Sequence, residues 1–543
     1  MKRKAVAAVL TAVMVASMFT GCGSDNGSSS AKSTSAASAA NDTVDEDGKV
    51  NGIMYQEGLP LVDEGAYTFS IFCDDSSESG EFIMLDEFKK QTNVDVDLKI
   101  YPYETATERL NLDLNSGDYA DVIGGWTLSD NAILTYGVNQ GVFIPLEDYF
   151  EKYCPNISAI LDLPGVREKM TAPDGHIYTI PYVCADATVG YSPYINTKWL
   201  ENVGMSMPTT TDEFEAVLKA FKEQDANGNG DASDEIPFST DPNNKHIEAM
   251  AGYFGLPMNK LGIAIQNEKV VYGGVSDTYR EFLSWFHKLY AEGLVDVELY
   301  TQDSSTWEGK GNQDLYGVSI AYGSNEFTGI PAAEERGDFD SMPVLNTDKG
   351  GIWLRDTEGF SVYRTQAVIT NKAEHPEIIC RWFDNAFALE NGIGCNRGPV
   401  GVIVNKEDDG YHAIDTTTLS EEDQEKYSWG NLWPQSLPKY LPADFEFVEE
   451  HPMYDEKKAT EEAYEANLTK EIIPSYWIDL DKIDTFSDTN TAIKDFFEQQ
   501  QAQFVCGELD IDNDADWQAY VDGMYSLGLE DWVATQGIEE IAK

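Results

Sequence analysis

One stretch of twelve residues, DANGNGDASDEI, combines residue types that bind a hard cation. It holds four side-chain carboxylates, two asparagines and two glycines, and it directly follows an amphipathic helical pattern. Oxygen-bearing side chains stand at every second position, at Asp225, Asn227, Asn229 and Asp231. Gly230 stands sixth, where a tight loop needs a residue that permits a sharp turn. This spacing matches the first half of an EF-hand calcium loop.

The end of the stretch departs from the EF-hand pattern. The bidentate glutamate expected at the last position is replaced by Ile236, while Glu235 stands one place early with Asp234 beside it. Asp231, at the seventh position, would bind through its backbone carbonyl. We predict half an EF-hand that holds a structural Ca²⁺ and is closed by Asp234 or Glu235. An acidic Asn-Gly turn without metal is the alternative.

The sequence lacks the compact motifs of several enzyme classes. It contains no H-E-x-x-H, no G-x-S-x-G and no G-x-x-x-x-G-K-[ST], and its six histidines are scattered. The glycine-rich residues 392–401 lack the spacing of a dinucleotide-binding turn. Glycoside hydrolysis needs only two carboxylates, so the 95 acidic residues leave that reaction open. We favour a protein that is not an enzyme and keep a surface glycoside hydrolase as an alternative.

Aromatic residues in polar, loop-like surroundings indicate a carbohydrate ligand. Phenylalanine, tryptophan and tyrosine make up 12% of the chain. Six of them stand close to glycine, serine, asparagine or charged residues: Trp126, Trp307, Tyr322, Trp353, Trp429 and Trp433. A pyranose offers C–H groups that stack on an aromatic ring and hydroxyls that hydrogen-bond to polar neighbours. The alternative for each ring is packing in a core.

Alternating strand and helix patterns would position these residues. Residues 67–75 and 94–103 have the apolar patterns of strands, and residues 79–93 between them have helical spacing. Such alternation predicts βαβ units and a mostly parallel sheet. Ligands of these sheets bind beyond the carboxyl ends of the strands, which is where the sequence places Trp126.

Residues 208–224, PTTTDEFEAVLKAFKEQ, give the clearest helix. Thr210 and Glu213 form a capping box at its start. One apolar stripe follows, formed by Phe214, Val217, Leu218 and Phe221. The predicted calcium loop therefore begins where a well-defined helix ends.

Length and charge restrict the class of protein. The chain of 543 residues is too long for one ordinary core, which predicts two or more lobes. Its 37 basic and 95 acidic residues give a net charge of −58. So negative a surface repels nucleic acid and anionic lipid headgroups. It suits a solvated protein with a neutral or cationic ligand.

The N-terminus indicates export. Three cations, Lys2, Arg3 and Lys4, precede an apolar run that is too short for a membrane span, and the run ends in F-T-G-C at Cys22. This resembles a bacterial lipoprotein signal, in which cleavage leaves the cysteine as a lipid-carrying N-terminus. A plain secretory signal is the alternative. Residues 23–52 are rich in Ser, Ala, Asp and Gly, which predicts a flexible tether.

Six cysteines follow the lipidation candidate: Cys73, Cys154, Cys184, Cys380, Cys395 and Cys506. Their even number and the exported location permit disulfides. The sequence has no C-x-x-C, and most of these residues lie in apolar runs, so buried free thiols are at least as well supported.

Several segments between about Gly58 and Ala388 together resemble one known family. They are GLPLV, DVIGGWTLSDNAILTYGVNQGVFIPLEDY, APDGHIYTIPYV, YINTKWLENVGMSMPTTTDEFEAVLKAFKEQDANGNGDASDEIP and AVITNKAEHPE. The family is the extracellular solute-binding proteins, family 1, of ABC importers. In that family the loop looks like a structural calcium site, with the acidic pair usually one residue nearer. Ala232-Ser233 lengthens the spacing here, which bears on the closing ligands.

The resemblance implies an α/β fold that is periplasmic-binding-protein-like, type II, with two α/β lobes joined by hinge segments and a ligand cleft between. We predict a signal peptide (1–21), a flexible tether (22–57), a first lobe (58–185, with a return segment of about 361–415) and a second lobe (186–360, with the calcium loop 225–235 and a helical C-terminal part of about 416–543).

We therefore expect a lipid-anchored monomer on the extracellular face of the cell membrane that captures an oligosaccharide and delivers it to ABC transporter permease subunits. Closure of the lobes on the ligand would be the mechanism. No nucleic acid is expected as a partner. The predicted ligand-binding residues are Trp126, Trp307, Tyr322 and Trp353 for stacking, with Arg355 as a polar contact. A binder of peptides or other nutrients with the same fold is an alternative, and so is a purely structural surface protein.

Overall fold

Two β-sheets organise the residues that the computed structural model describes: 42–75, 81–242, 246–329, 338–442, 445, 447–448 and 452–542. The strands are β1 (Lys49–Val50), β2 (Met54–Tyr55), β3 (Tyr67–Asp74), β4 (Val94–Tyr101), β5 (Val122–Gly124), β6 (Thr179–Ala185), β7 (Ser192–Asn196), β8 (Ile236–Thr240), β9 (Ile263–Gln266), β10 (Lys269–Tyr272), β11 (Tyr316–Ala321), β12 (Phe339–Ser341), β13 (Phe360–Ile369), β14 (Val404–Glu407), β15 (Gly410–Ala413) and β16 (Glu540–Ile541).

The first sheet has the order β4-β3-β5-β13-β6. β3 runs parallel to β4 and β5, as the βαβ pattern predicts, whereas β13 is antiparallel to β5 and β6. Both faces of this sheet are covered, since neighbouring residues of β3, Ile71 and Phe72, are buried in different apolar clusters.

The second sheet has the order β12-β7-β11-β8. β11 is parallel to β8 and antiparallel to β7. A smaller sheet with the order β16-β10-β9 joins the last strand of the chain to the hairpin of β9 and β10. The chain passes from the first sheet to the second between β6 and β7 and returns between β12 and β13.

Helices cover the sheets. The α-helices are Ile83–Thr92, Tyr103–Ser116, Asp130–Ala132, Glu147–Tyr153, Pro155–Leu161, Val166–Met170, Thr197–Val203, Thr211–Glu223, Asp277–Ala291, Ser304–Asn312, Asn325–Thr328, Pro376–Ala386, Leu389–Arg397, Glu421–Lys426, Pro452–Tyr464, Ile483–Cys506, Asp514–Ser526 and Leu529–Thr535. In the described part of the chain, a π-helical segment, Ile133–Asn139, and five 3₁₀ segments complete the helical residues: Ile247–Phe254, Thr416–Thr418, Trp429–Asn431, Glu465–Asn467 and Leu480–Lys482.

The helix Thr211–Glu223 confirms the pattern that predicted it. The hydroxyl of Thr210 accepts a hydrogen bond from the backbone N–H of Glu213 at 3.2 Å. The carboxylate of Glu213 in turn accepts one from the N–H of Thr209 at 2.8 Å. The apolar stripe is fully buried: Phe214, Val217, Leu218 and Phe221. Burial of this stripe fixes the end of the helix, and with it the start of the predicted calcium loop.

The predicted tether is shorter than the sequence suggests. Residues 42–57 contain the hairpin of β1 and β2, whose Val50 and Met54 are buried in the core of the first sheet. Asn51 adds a side-chain hydrogen bond to Glu377 at 2.9 Å. Apolar residues of this mainly polar stretch therefore attach it to the first sheet. The predicted signal peptide and Cys22 lie outside the described residues.

The end of the segment that returns to the first lobe also differs from the prediction. Trp433 and Leu437 lie in the core of the first sheet, where Trp433 stacks on Trp382 with 5.6 Å between ring centroids. The segment that returns to the first sheet therefore continues at least to Leu437, beyond the predicted limit of about 415. From Ile493 onward, the C-terminal helices contribute to the core of the second sheet.

Two further expectations concern the membrane and the cysteines. In the described part of the chain, no helix is both long enough and apolar enough to cross a membrane.

All six cysteines after Cys22 carry free thiols, and only Cys506 is exposed. The pairing that the sequence left open is therefore absent among these residues.

Candidate functional site

The residues that follow the strands of both sheets form one connected group. Trp126 follows β5 after Gly125, Asp186 follows β6, and Tyr322 follows β11. Tyr363 lies within β13, which pairs with both β5 and β6. These four residues come from four elements, and contacts between their side chains connect the two sheets.

Asp74, the last residue of β3, fixes the turn that carries Trp126. Its two carboxylate oxygens accept hydrogen bonds from the backbone N–H groups of Trp126 and Thr127, at 2.9 and 2.6 Å. The intervening Gly125 has φ +137, and a Cβ there would clash with the Asp74 carboxylate. Glycine is therefore required at this position.

The indole of Trp126 is 45% exposed. It meets Tyr363 edge-on, at 5.2 Å between ring centroids, and lies tilted against Tyr182, at 6.3 Å. The ring is thus supported by two other aromatic rings and still offers surface to a ligand. This is the arrangement that stacks on the C–H face of a sugar.

The carboxylate of Asp186 accepts hydrogen bonds from hydroxyl groups of both sheets. It accepts hydrogen bonds from Tyr322 Oη at 3.0 Å, from Ser361 Oγ at 2.5 Å and from Tyr363 Oη at 3.3 Å. The backbone N–H of Ala187 also donates to it at 2.9 Å. A carboxylate held in this way can accept hydrogen bonds from sugar hydroxyls.

Tyr322 also contacts Lys457, through its ring and its backbone carbonyl. The ammonium group lies 4.1 Å from the centroid of the Tyr322 ring, and it donates a hydrogen bond to the carbonyl of Gly190 at 2.5 Å. It also donates to the carbonyl of Tyr322. Burial lowers the pKa of Lys457 to about 8. Lys457 thus holds Tyr322, which is 36% exposed, against the segment between the sheets.

Carboxyl groups near Lys457 are also perturbed by burial. Burial raises the pKa of Glu326 to about 7 and that of Asp356 to about 6. Glu326 accepts a hydrogen bond from the N–H of Tyr322 at 2.9 Å, and Asp356 accepts one from the N–H of Gly190 at 2.7 Å. Perturbed groups of this kind concentrate at functional sites.

A second aromatic pair extends the site. Tyr191 stacks on His246 with 4.2 Å between ring centroids and meets Tyr322 edge-on at 5.9 Å. Burial lowers the pKa of His246 to about 4, so the imidazole is neutral near pH 7. This pair therefore adds aromatic surface without adding charge.

The structure places two of the predicted stacking residues in cores. Trp307 is 3% exposed, donates a hydrogen bond from Nε1 to Ser319 Oγ at 3.2 Å, and packs on Phe327. Trp353 is 2% exposed and packs between Tyr253 and Tyr464. Rings without exposed surface cannot stack on a sugar, so the predicted role is wrong for both in this conformation.

Arg355 is also placed differently from the prediction. Its guanidinium donates hydrogen bonds to the carbonyl of Thr469 at 3.3 Å and to the carboxylate of Glu465 at 3.4 Å. These contacts tie Arg355 to the C-terminal segment. Its polar contact with a ligand stays a prediction.

Backbone groups of the predicted calcium loop hydrogen-bond to the loop's own side chains. Residues 224–235 connect the helix Thr211–Glu223 to β8. Gly228 and Gly230 have φ values of +75 and +97, and backbone N–H groups donate to the side chains of Asp225, Asn227, Asn229 and Asp231. The loop is therefore turned inward as the spacing predicts.

Two buried oxygens in this loop have no hydrogen-bond partner, Oδ1 of Asp225 and Oε2 of Glu235. Burial raises the pKa of Glu235. Both oxygens of Asp234, by contrast, accept hydrogen bonds from the side-chain amides of Asn227 and Asn229, at 3.3 and 2.7 Å. Buried carboxylate oxygens without partners are costly unless a cation binds them. The residues present therefore fit a Ca²⁺ ion.

A family model of bacterial extracellular solute-binding proteins matches residues 77–392, more than half of the chain. This chain belongs to that family. The predicted resemblance is thereby confirmed, and so is the fold class: a type II periplasmic-binding-protein-like α/β fold.

Two individual proteins and one solved structure are also similar to this chain. The fructooligosaccharide ABC transporter substrate-binding protein FusA of Streptococcus pneumoniae is 32% identical over 379 residues, which cover 67% of this chain and 68% of FusA. A solved structure of an EF-hand mutant of S. pneumoniae FusA in complex with fructo-nystose has a TM-score of 0.74 and 27% identity, and covers 86% of this chain and 98% of that one. Lipoprotein LipO of Bacillus subtilis is 28% identical over 280 residues, 50% of this chain and 52% of LipO.

The sequence analysis missed several residues of this candidate site. Asp186 and Tyr191 lie in the connection between β6 and β7, His246 precedes a 3₁₀ segment, and Tyr363 lies inside a strand. Of these residues, only Asp186 could have been predicted from the sequence, since it is an acidic residue directly after a strand pattern. The others are brought to the site by elements that are remote in sequence.

Proposed function

We propose that this solute-binding protein captures an oligosaccharide between its two sheets and delivers it to an ABC importer. The observation that carries the proposal is the exposed indole of Trp126, which is supported by Tyr363 and connected through Asp186 to Tyr322. Aromatic surface beside a carboxylate that accepts hydroxyl hydrogens suits a polyhydroxylated, uncharged ligand.

Movement of the two sheets relative to each other would accompany binding. A ligand that touches Trp126 on one sheet and Tyr322 on the other favours the conformation in which both contacts are made. The residues between β6 and β7 and those between β12 and β13 are the connections in which the change in backbone angles would occur.

Calorimetric titration with a panel of glycans and peptides tests the proposal. We expect binding to at least one oligosaccharide and none to the peptides. Fructooligosaccharides come first in the panel, since FusA is a fructooligosaccharide-binding protein. Binding to peptides and to no oligosaccharide would overturn the proposal and favour a peptide binder of the same fold.

A structural calcium ion is part of the same proposal. The side chains of Asp225, Asn227, Asn229 and Glu235 would hold it, and the backbone carbonyl of Asp231 would complete the set. When bound, the ion would neutralise buried carboxylates and fix the loop between the helix Thr211–Glu223 and β8. The EF-hand of FusA supports this assignment. Its role would be stability and not contact with the sugar.

We further propose a location and partners for the protein. The protein belongs to an extracellular family, and we infer a lipid anchor at Cys22. Permease subunits of an ABC transporter would be its partners, and it would act as a monomer. Mass spectrometry of the membrane-extracted protein would detect the lipid on Cys22, and an unmodified N-terminus would contradict the anchor.

We also propose that the protein does not transform its ligand. Members of the family bind solutes for transport, whereas a surface glycoside hydrolase would release reducing sugar. Incubation of the purified protein with each bound oligosaccharide, followed by an assay for reducing ends, separates the two functions. Release of reducing sugar above the rate without protein would favour the hydrolase.

A further inference from the structure

A cavity of about 510 Å³ lies beside the residues of the proposed sugar site. Part of its lining is Ser129, Asp130 and Asn131, at the start of the short helix Asp130–Ala132, which follows Trp126 in the chain. Other lining residues come from the C-terminal segment and include Ile473, Tyr476, Phe486 and Ser487. Its volume falls in the range of small-molecule pockets, about 300–1,000 Å³.

A smaller cavity shares lining residues with this space and is also lined by Tyr363 of the aromatic site. It has a volume of about 290 Å³ and is lined by Tyr363, Arg364 and Ser475, together with Ser129 and Asp130. The last three of these residues also line the larger cavity. Tyr363 itself contacts Trp126 at 5.2 Å between ring centroids. A ligand on Trp126 could therefore extend past Tyr363 into the larger space.

The charges on these walls neutralise each other. Arg364 donates hydrogen bonds to the two carboxylate oxygens of Asp130 at 2.8 and 2.5 Å. The same guanidinium lies 4.1 Å from the centroid of a Trp477 ring and donates to the carbonyl of Tyr476 at 2.8 Å. Among the described lining residues, the one cation is thus already paired, so an anionic ligand would gain no free partner there.

The remaining lining groups suit a sugar. Asn131 donates a hydrogen bond from its side-chain amide to Ser487 Oγ at 3.3 Å, while its Oδ1 is buried and has no hydrogen-bond partner. Hydroxyl and amide groups surround the space, and Leu261, Ile473 and Phe486 add apolar surface. A buried acceptor without a partner favours a ligand that brings a hydroxyl donor.

We propose that this cavity is a further subsite that takes an uncharged sugar unit of the same oligosaccharide whose other end stacks on Trp126. The inference rests on the proposed function and adds a prediction of the ligand's length and charge. The protein then binds long neutral oligosaccharides more tightly than short ones, because only long chains reach the wall formed by Asn131 and Ser487.

The test is a chain-length series titrated against one filling variant. Ser487→Tyr places a ring in the cavity, and Ser526→Tyr, on the exposed end of a neighbouring helix, is the matched control. The probes are inulin-type and malto-oligosaccharides of two to six units. In the series that binds wild-type protein, we expect Ser487→Tyr to weaken the longest member at least about tenfold, which corresponds to about 1.4 kcal/mol. The shortest member and the control stay within about twofold.

Asn131→Ala is a second, smaller change that retains the cavity and removes the unpartnered acceptor. We expect it to weaken only the long members, by about two- to tenfold, the effect of one hydrogen bond. Unchanged affinity of both variants for long chains, or an equal loss for short and long chains at unaltered melting temperature, would overturn the subsite while the Trp126 site stands. Absence of binding by wild-type protein in every series would overturn both proposals.

Discussion

Tyr322 Oη donates a hydrogen bond to Asp186 Oδ1 at 3.0 Å and thereby joins the end of a strand in the second sheet to the end of a strand in the first. The other oxygen of the same carboxylate accepts hydrogen bonds from Ser361 and Tyr363. The contact therefore belongs to the proposed sugar site. It connects the position of Tyr322 to the relative position of the two sheets.

Tyr322→Phe keeps the aromatic ring and removes this donor. We expect the free energy of unfolding to fall by about 1 kcal/mol, since Asp186 keeps its other donors. Urea denaturation followed by fluorescence measures the change. Tyr525→Phe, at an exposed position of a C-terminal helix, is the control. Equal stability of the Tyr322→Phe variant and wild type would show that the contact contributes nothing.

Trp126→Ala removes the exposed ring of the proposed sugar site. We expect the affinity for the bound oligosaccharide to fall by about 10- to 100-fold, because stacking and burial of one indole contribute roughly 1.5–3 kcal/mol. Calorimetric titration measures the loss. Tyr525→Ala, which removes an exposed ring elsewhere, should leave the affinity unchanged. An unaltered affinity of the Trp126→Ala variant would contradict the stacking role.

Trp353→Ala and Trp307→Ala test the buried positions of these two rings. Each change leaves a large cavity in a core, so we expect the free energy of unfolding to fall by about 3–5 kcal/mol. Denaturation midpoints measure the loss, and the half-exposed Trp126 provides the comparison. If Trp353→Ala weakened sugar binding at unchanged stability, the ring would have to contact the ligand.

Removal of calcium should lower stability and leave sugar binding intact. A chelator, or Asp225→Asn or Glu235→Gln, is expected to lower the melting temperature, because a ligand that binds only the folded state stabilises it. Asp231→Asn is the control, since the side chain of Asp231 only accepts hydrogen bonds from Ser233. Thermal melts with and without added Ca²⁺ measure the effect. Loss of sugar binding at an unchanged melting temperature would instead place the ion in the sugar site.

The stability of the protein should depend on pH through Glu326. Burial raises its pKa from 4.5 to about 7. Between these values the folded protein holds a proton that the unfolded chain has lost, so the free energy of unfolding falls as pH rises through this window. Asp356, whose pKa burial raises to about 6, acts in the same direction.

Glu326→Gln keeps an acceptor for the N–H of Tyr322 and removes the titration. We expect a shallower fall in stability across the same pH window, measured by urea denaturation at several pH values. Glu358→Gln, at an exposed position, is the matched control and should leave the wild-type slope unchanged. A Glu326→Gln slope identical to that of wild type would contradict the assignment.

Features encoded by contiguous residues were predictable from the sequence. The helix Thr211–Glu223, its cap at Thr210 and the inward turn of the loop after it depend on neighbours within a few positions. The same is true of the βαβ alternation that builds β3, β4 and β5. Local hydrogen bonds and periodic burial determine these elements, so a single chain displays them directly.

The sequence by itself thus determined the family, the fold class and the loop that suits a cation, because each is carried by local pattern. Only the tertiary structure decided which indoles are exposed and which acid at the end of the loop keeps an unpartnered oxygen. Trp126 and Trp307 have similar polar neighbours in sequence, yet Trp307 is buried by residues from β11 and a helix after it. Burial depends on contacts between distant segments, and so does the meeting of Asp186, Tyr322 and Tyr363.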